Sequence, residues 1–373
     1  MRDTYGNALN ISLFGESHGK AIGVVIDGIA SGITFSPDFM AKQMDKRRAS
    51  GAISTPRVEP DLVHILSGMV DHVSTGSAIS LMIQNTNTKS KDYSETQYLL
   101  RPGHADFTAF EKYHGFQDIR GGGHFSGRLT APIVAAGSLF TQILAQQGVY
   151  IATHLLECAG VRDQEFSYLG ENLLEEIHHL NDRHFSLLDP LKEGEMKEKI
   201  LAAASEGDSV GGILETVIYP LPTGLGEPFF TSVESVLSSL LFSMPAVKGI
   251  EFGAGFSMAS MRGSQANDPF VMSGEKILTE TNHNGGINGG ITNGMPLILR
   301  TVVKPTASIF KEQDTVHYQN KTAETLQIHG RHDPCILHRA RVVQDSLCAI
   351  GIADLWNMRE GLGWQRRAKW NMD

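Results

Sequence analysis

What most restricts the fold is a succession of short β-branched runs that follow one another with only turn residues between them. Asn10–Phe14 is followed by Ile22–Ile26, and Leu62–Val70 by Ala78–Ile83, with no helical segment inside either pair. Strands joined by a turn pair antiparallel, because a parallel neighbour needs a long crossover. Tyr150–Leu156, Ile213–Tyr219, Ile250–Ser260 and Leu297–Val303 are runs of the same kind. Helices are announced by caps at Ser36-Pro37, running to about Arg48, and at Asp189-Pro190, running to about Ser205, since proline suits a first helical turn. Thr130–Gln147, Glu171–Leu180, Ser232–Phe242 and Arg339–Trp356 carry apolar residues at i, i+3 and i+4, as at Val236, Leu237, Leu240 and Leu241. This order predicts α+β layering rather than alternating βαβ units. No low-complexity linker or fixed repeat divides the chain, so one domain over residues 1–373 is expected, with an acidic helical segment at about 160–208 inserted in it.

Glycine is the compositional outlier, 39 of 373 residues, or about 10% against a usual 7% or so, and it falls in clusters. Clustered glycine marks backbone that something approaches closely. The net charge of −9 argues against nucleic acid or an anionic membrane as a general partner. Its distribution is uneven: residues 151–235 hold 16 acidic and 5 basic groups, whereas residues 1–150 hold 13 of each. Arginines and glycine clusters concentrate at the two ends, which points to an anion site built jointly by them. Three cysteines, Cys158, Cys335 and Cys348, make no disulfide framework and suit a reducing compartment. The N-terminus lacks the apolar core of a signal peptide, and the least charged stretch, Leu129 to Leu156, is interrupted by Gln142, Gln146 and Gln147. A cytoplasmic protein without a membrane span is expected.

Several segments carry candidate chemistry. Gly15-Glu16-Ser17-His18-Gly19 follows a strand, so His18 sits on a tight turn, either as a functional imidazole or as a surface histidine. Lys46-Arg47-Arg48 and Arg57 follow the first helix, where they either complement its C-terminus or clamp an anion with bidentate forks. Arg101-Pro102-Gly103-His104-Ala105-Asp106 comes next, then Asp118 to Arg128, with Arg120, His124 and Arg128 gathered around Gly121-Gly122-Gly123. Such glycines expose backbone N–H groups suited to phosphate oxygens or to a cofactor's polar edge. The spacing from Gly122 is not a P-loop, because Arg128 and Leu129 stand where lysine and a hydroxyl are required. Asn284 to Gly294 and Lys304-Pro305-Thr306-Ala307-Ser308 offer either hairpin turns or a surface for a flat polar ligand and a phosphate, with no dinucleotide fingerprint. In His329-Gly330-Arg331-His332-Asp333-Pro334-Cys335 no second ligand pair supports a metal, so none is expected. Asp333, flanked by Arg331 and His332, is kept ionised as a base or forms a structural ion pair.

Taken in order from residue 6 to about 350, these motifs, with Thr75-Gly76 and Lys91-Asp92-Tyr93, resemble the chorismate synthase family. The resemblance implies a β-α-β sandwich, a homotetramer, and a lyase (EC 4.2.3.5) of the shikimate pathway in aromatic amino-acid biosynthesis. The reaction implied is a 1,4-elimination of phosphate from 5-enolpyruvylshikimate 3-phosphate, giving chorismate. The cofactor implied is reduced FMN, with NADPH as an indirect reductant and no net redox change.

Matched position by position, the family's pattern makes His18 the acid for the departing phosphate, His104 the group that protonates the reduced flavin, and Asp333 the carboxylate that works with flavin N5 in removing the C6 proton. Arg47, Arg48, Arg57, Arg120 and Arg128 become ligands of the substrate's anions, Arg47 also standing at the NADP position. FMN falls to His124, Phe125, Ser126, Pro245, Ala246, Gly289, Lys304, Pro305, Thr306, Ala307, Ser308 and Arg331. The chain departs from the commonest pattern at His124-Phe125-Ser126-Gly127-Arg128-Leu129-Thr130, where Arg-Ser-Ser-Ala-Arg-Glu-Thr is usual. Ala52-Ile53-Ser54 occupies the stretch of a second pyridine-nucleotide cation, which points to an external flavin reductase. The alternatives are a flavin reductase turning over NADPH and a catalytically silent protein that binds FMN and anions.

Overall fold

The structure, a computed structural model, describes residues 3–49, 51–54, 59–86, 98–167, 172–328 and 332–367. Ten strands form two five-stranded antiparallel sheets, and the other strands among the described residues pair into two-stranded ribbons. In the first, β1 (Thr4–Tyr5), β2 (Asn10–Gly15), β3 (Ala21–Asp27), β4 (Val63–Ser67) and β5 (Ile79–Gln84) lie in the order β1-β2-β3-β5-β4. In the second, β6 (Tyr150–Cys158), β7 (Val161–Arg162), β8 (Gly212–Tyr219), β9 (Val247–Phe252) and β10 (Leu297–Val303) lie in the order β9-β10-β8-β6-β7. The period of two sets which side chains face inward: Ile22, Val24 and Ile26 on β3 and Ile79, Leu81 and Ile83 on β5 are all buried, and Val24 pairs with Leu81.

Seven helices of eight or more residues follow in chain order among the described residues: α1 (Pro37–Arg47), α2 (Asp106–Tyr113), α3 (Thr130–Gln146), α4 (Leu173–Asn181), α5 (Lys192–Ser205), α6 (Val233–Leu241) and α7 (Leu337–Glu360). The long apolar helices α3 and α7 pack on each other, α3 against the first sheet and α7 against the second, which gives the expected β-α-β sandwich. α7 is buried from Leu337 to Asn357 apart from Arg339, and its polar residues find partners on both sides. Gln344 donates to the Thr216 hydroxyl at 2.7 Å and accepts from the Thr301 hydroxyl at 2.6 Å, while Asp354 accepts from the backbone N–H of Ala8 and Leu9 at 2.8 and 3.0 Å. One stretch of the described residues, Gly127–Gln146, is long and apolar enough to cross a membrane, but 78% of that apolar window is buried inside the protein. The acidic α4 covers the other face of the second sheet over Ala152, Val217 and Ile298.

Two expectations needed correction. The run Ile250–Ser260 is strand only to Phe252, because Gly253 and Gly255 take positive φ (56° and 52°) and a 3₁₀ turn, Gly255–Ser260, follows. Helix α2, which the Arg101 to Asp106 motif opens, has no side-chain cap and was not anticipated.

Candidate active site

The C-terminal end of α1, the loops around Arg101 and Ser126, the segments after α6 and after β10, and the start of α7 line a cavity of about 740 Å³, within the range of roughly 300–1,000 Å³ that suits small-molecule sites. Its walls gather residues far apart in sequence: Arg47, Arg48, Arg101, His104, His124 to Arg128, Pro245, Ala246, Lys304 to Ser308, Asp333 and Arg339 among them. The two arginine-bearing ends of the chain thus do meet. Lys304 ties them directly, its Nζ donating to the Gly103 carbonyl at 2.6 Å.

The glycine triplet explains how the two histidines come close. Gly121, Gly122 and Gly123 take φ of 60°, 88° and 53°, conformations that side chains disfavour. A Cβ on Gly121 would stand 2.0 Å from Cε1 of His18, and one on Gly122 would stand 3.6 Å from Nε2 of His104. What approaches this backbone within the protein is therefore a pair of imidazoles, packed against successive residues of one turn. The loop bearing His18 is pinned to the triplet by the Ser17 N–H, which donates to the Gly123 carbonyl at 3.1 Å. His18 itself is buried and packs behind Gly121, which lines the cavity.

His104 is oriented by Asp106, whose Oδ1 lies 2.8 Å from Nδ1. Burial alone would raise the Asp106 carboxyl, but the Arg101 fork, at 2.7 Å to both oxygens, together with His104 brings it below the ordinary range. With an ionised acceptor on that side, the ring carries its proton on Nδ1 and turns Nε2 toward Gly122. Across the same turn Asp118 is held low, chiefly by the Arg120 fork, and the field of His18 adds to it.

The cations divide into three groups. Arg47 and Arg128 lie buried in the floor and share Asp61: Nη1 of Arg47 meets Oδ2 at 3.0 Å, and Arg128 bonds Oδ1 and also lies 3.0 Å from Glu59. Burial pulls the Arg47 guanidinium down; Asp61 pulls it back up, and it remains charged near neutral pH. Arg48, Arg101, Lys304 and Arg339 stand in the walls. The structure does not bring Arg120 there: it is half-exposed and forked to Asp118 at 2.8 Å. Arg57 and Arg331 lie outside the described residues.

The candidate flavin residues Phe125, Ser126, Pro245, Ala246, Lys304, Pro305, Thr306, Ala307 and Ser308 all line the cavity, whereas Gly289 belongs to the Ile287–Asn288 and Ile291–Thr292 hairpin outside its walls. His124 lines it too, yet its ring nitrogens are engaged elsewhere: Nδ1 lies 2.8 Å from the Gly15 carbonyl and Nε2 3.2 Å from Asp3. It pins the start of the loop that carries His18. Thr306 Oγ1 and His332 Nε2, both on residues lining the cavity, are buried with no hydrogen-bond partner among the described residues. Such orphaned atoms fit a heterocyclic cofactor that brings its own donors and acceptors. No group of three or more metal-ligating side chains occurs among the described residues.

Asp333 is paired with a cation on the helix that follows it. Nη1 of Arg339, six residues on in α7, reaches its Oδ2 at 2.6 Å. The sequence reading missed Arg339, Glu59 and Asp61, since a pairing between a loop and a later helix, or between a short acidic segment and two remote arginines, leaves no periodic signal.

Along nearly its whole length the chain is similar to proteins of one family. The family model described as chorismate synthase matches residues 9–356. A chorismate synthase of Dehalococcoides mccartyi is 42% identical over 358 residues, covering 95% of this chain and 96% of that protein. Those of Chitinophaga pinensis and Pyrococcus abyssi are each 43% identical, covering 94% of this chain and 96% of theirs. A crystal structure of a chorismate synthase superposes with a TM-score of 0.76 at 26% identity, covering 96% of this chain and 94% of that one.

Proposed function

This chain belongs to the chorismate synthase family of lyases, and on that premise we propose that it converts 5-enolpyruvylshikimate 3-phosphate to chorismate and phosphate with reduced FMN, as the last step of the shikimate route to aromatic amino acids. The observation that carries the reading is the meeting of His104, Asp333 and seven lysine and arginine side chains around one cavity, with His18 packed behind its glycine turn. A substrate with one phosphate and two carboxylates needs such cations even in a protein of net charge −9.

In this proposal Arg48, Arg101 and Lys304 bind and orient the substrate's anions, while Arg47 and Arg128, paired with Asp61 and Glu59, fix the floor beneath them. His18 gives its proton to the departing phosphate. His104, its Nδ1 held by Asp106, manages the proton of the cofactor, and the Asp333 carboxylate takes the proton from the substrate carbon. Phe125, Ser126, Pro245, Ala246 and Lys304 to Ser308 would hold FMN. Held there, reduced FMN would supply transient electron density to the elimination with no net change in its oxidation state.

Residues 1–373 are read as one catalytic domain in the cytoplasm, serving neither nucleic acid nor a membrane. Electrons come from an external flavin reductase, with NADPH as the indirect source. The exposed Phe229, Phe230, Phe256 and Phe270 support self-association to a homotetramer.

The test is anaerobic incubation with chemically reduced FMN and 5-enolpyruvylshikimate 3-phosphate, following chorismate absorbance and phosphate together. Equal amounts of both with no net flavin oxidation are expected. Substrate binding without phosphate release would instead mean a silent binder, and steady NADPH consumption without chorismate a flavin reductase.

A further inference from the structure

Arg339 occupies a position that helix stability does not explain. It is the third residue of α7, in a first turn that holds no acidic side chain, and a cation there opposes the helix dipole. Its side chain is only 20% exposed, so its charge is largely withdrawn from water. The compensation is specific and two-sided. Nε donates at 2.8 Å to the main-chain carbonyl of Arg47, one of the carbonyls that the end of α1 leaves without a helical partner. Nη1 meets Oδ2 of Asp333 at 2.6 Å. One rigid guanidinium therefore spans the loop that bears the carboxylate and the helix end that bears Arg47, and it does so in the cavity wall.

We propose that Arg339 is the positioning residue for Asp333: it anchors one carboxylate oxygen, and with it the plane of the carboxylate, against the end of α1. The proposal rests on the reading of Asp333 as the proton acceptor in the elimination. A planar fork in this place does what lysine cannot, because a single ammonium has no fixed geometry with which to bond both partners at once. The anchored oxygen sets the direction in which the carboxylate accepts a proton, and misorientation by about 1 Å is worth roughly 100-fold in rate.

The experiment compares the parent with Arg339→Lys and Arg339→Ala, using substrate protiated or deuterated at the carbon that loses its proton. For Arg339→Ala, kcat is expected to fall about 100-fold with KM changed less than about threefold. The primary deuterium isotope effect on kcat should rise as proton removal becomes rate-limiting, and added guanidinium should restore at least about tenfold of the lost rate. Arg339→Lys should fall in between, with the same rise in isotope effect. FMN binding, read by quenching of flavin fluorescence, should match the parent. An Arg339→Ala rate within about twofold of the parent, or a loss with an unchanged isotope effect and no rescue, overturns the assignment. Should Arg339→Ala not fold, the isotope effect of Arg339→Lys decides by the same criterion. A parent that releases no phosphate overturns the lyase reading itself, whereas an active parent with an unaffected variant overturns only the role of Arg339.

Discussion

Adding one methyl group at Gly121 tests whether the glycine turn exists to seat His18. Two costs are expected from Gly121→Ala. The residue has φ of 60°, and alanine in the left-handed region costs about 1–2 kcal/mol. The new Cβ would also fall 2.0 Å from His18 Cε1 and 2.1 Å from Nδ1, where ordinary contact begins at 3.4 Å. The ring or the turn must then shift by about 1.4 Å, a displacement that at a catalytic group is worth on the order of 100-fold in rate. Gly122→Ala is the internal control. Its φ of 88° imposes a comparable backbone cost, but its Cβ meets His104 only at 3.6 Å, an ordinary contact. Both variants should lose a few degrees of melting temperature, on the scale of about 2–4 °C per kcal/mol in mid-sized proteins. Only Gly121→Ala should lose most of its phosphate-release rate. The assay is anaerobic phosphate release at saturating reduced FMN, beside a melting curve for each protein. Equal rates for the two variants would refute the reasoning, because the imidazole contact is what separates them.

Asp61→Asn keeps shape and tolerates the local φ of 47°, but it leaves Arg47 and Arg128 short of their shared counter-charge. Breaking a buried pair of this kind costs about 3–5 kcal/mol, so urea unfolding should show a loss of that order; a change below about 1 kcal/mol would mean that Glu59 alone suffices. Because the folded Asp106 carboxyl lies below its ordinary value of 3.8, the unfolded chain takes up this proton first as pH falls. Its contribution is full above that value and is lost as the pH drops below it, so the stability gap between the parent and Asp106→Asn should narrow from about pH 5 downward; a pH-independent gap contradicts the pairing. Cys158, Cys335 and Cys348 are all buried, so a thiol reagent should label none quickly in the native protein and three after denaturation. Rapid native labelling would show that the Cys158 and Cys335 sulfurs, 3.9 Å apart, are less enclosed than described.

Much of the fold was legible because it rests on local physics. The β-branched runs bounded by turn residues on β2, β3 and β10, the proline at the start of α1 and the apolar spacing of α3 and α6 depend only on neighbours along the chain. The motif containing His18, His104 and the glycine triplet was equally visible, since residue types that bear chemistry, crowded among glycines, stand out without a structure. Helix α2 escaped notice because its eight residues are too few to repeat an apolar spacing, and strand β9 was overextended because the apolar pattern continues through residues whose glycines turn the backbone.

By itself, then, the sequence determined the α+β elements, the concentration of cations at both ends and the family. Only the tertiary structure decided which charge answers which: that Asp61 and Glu59 neutralise Arg47 and Arg128, that Arg120 turns away to Asp118, that His124 holds the His18 loop, and that Asp333 leans on Arg339. The reason is physical. Secondary structure follows from contacts a few residues apart, whereas an ion pair in a buried floor depends on distances that appear only when two sheets close on α3 and α7, and many pairings of the same charges are compatible with one sequence.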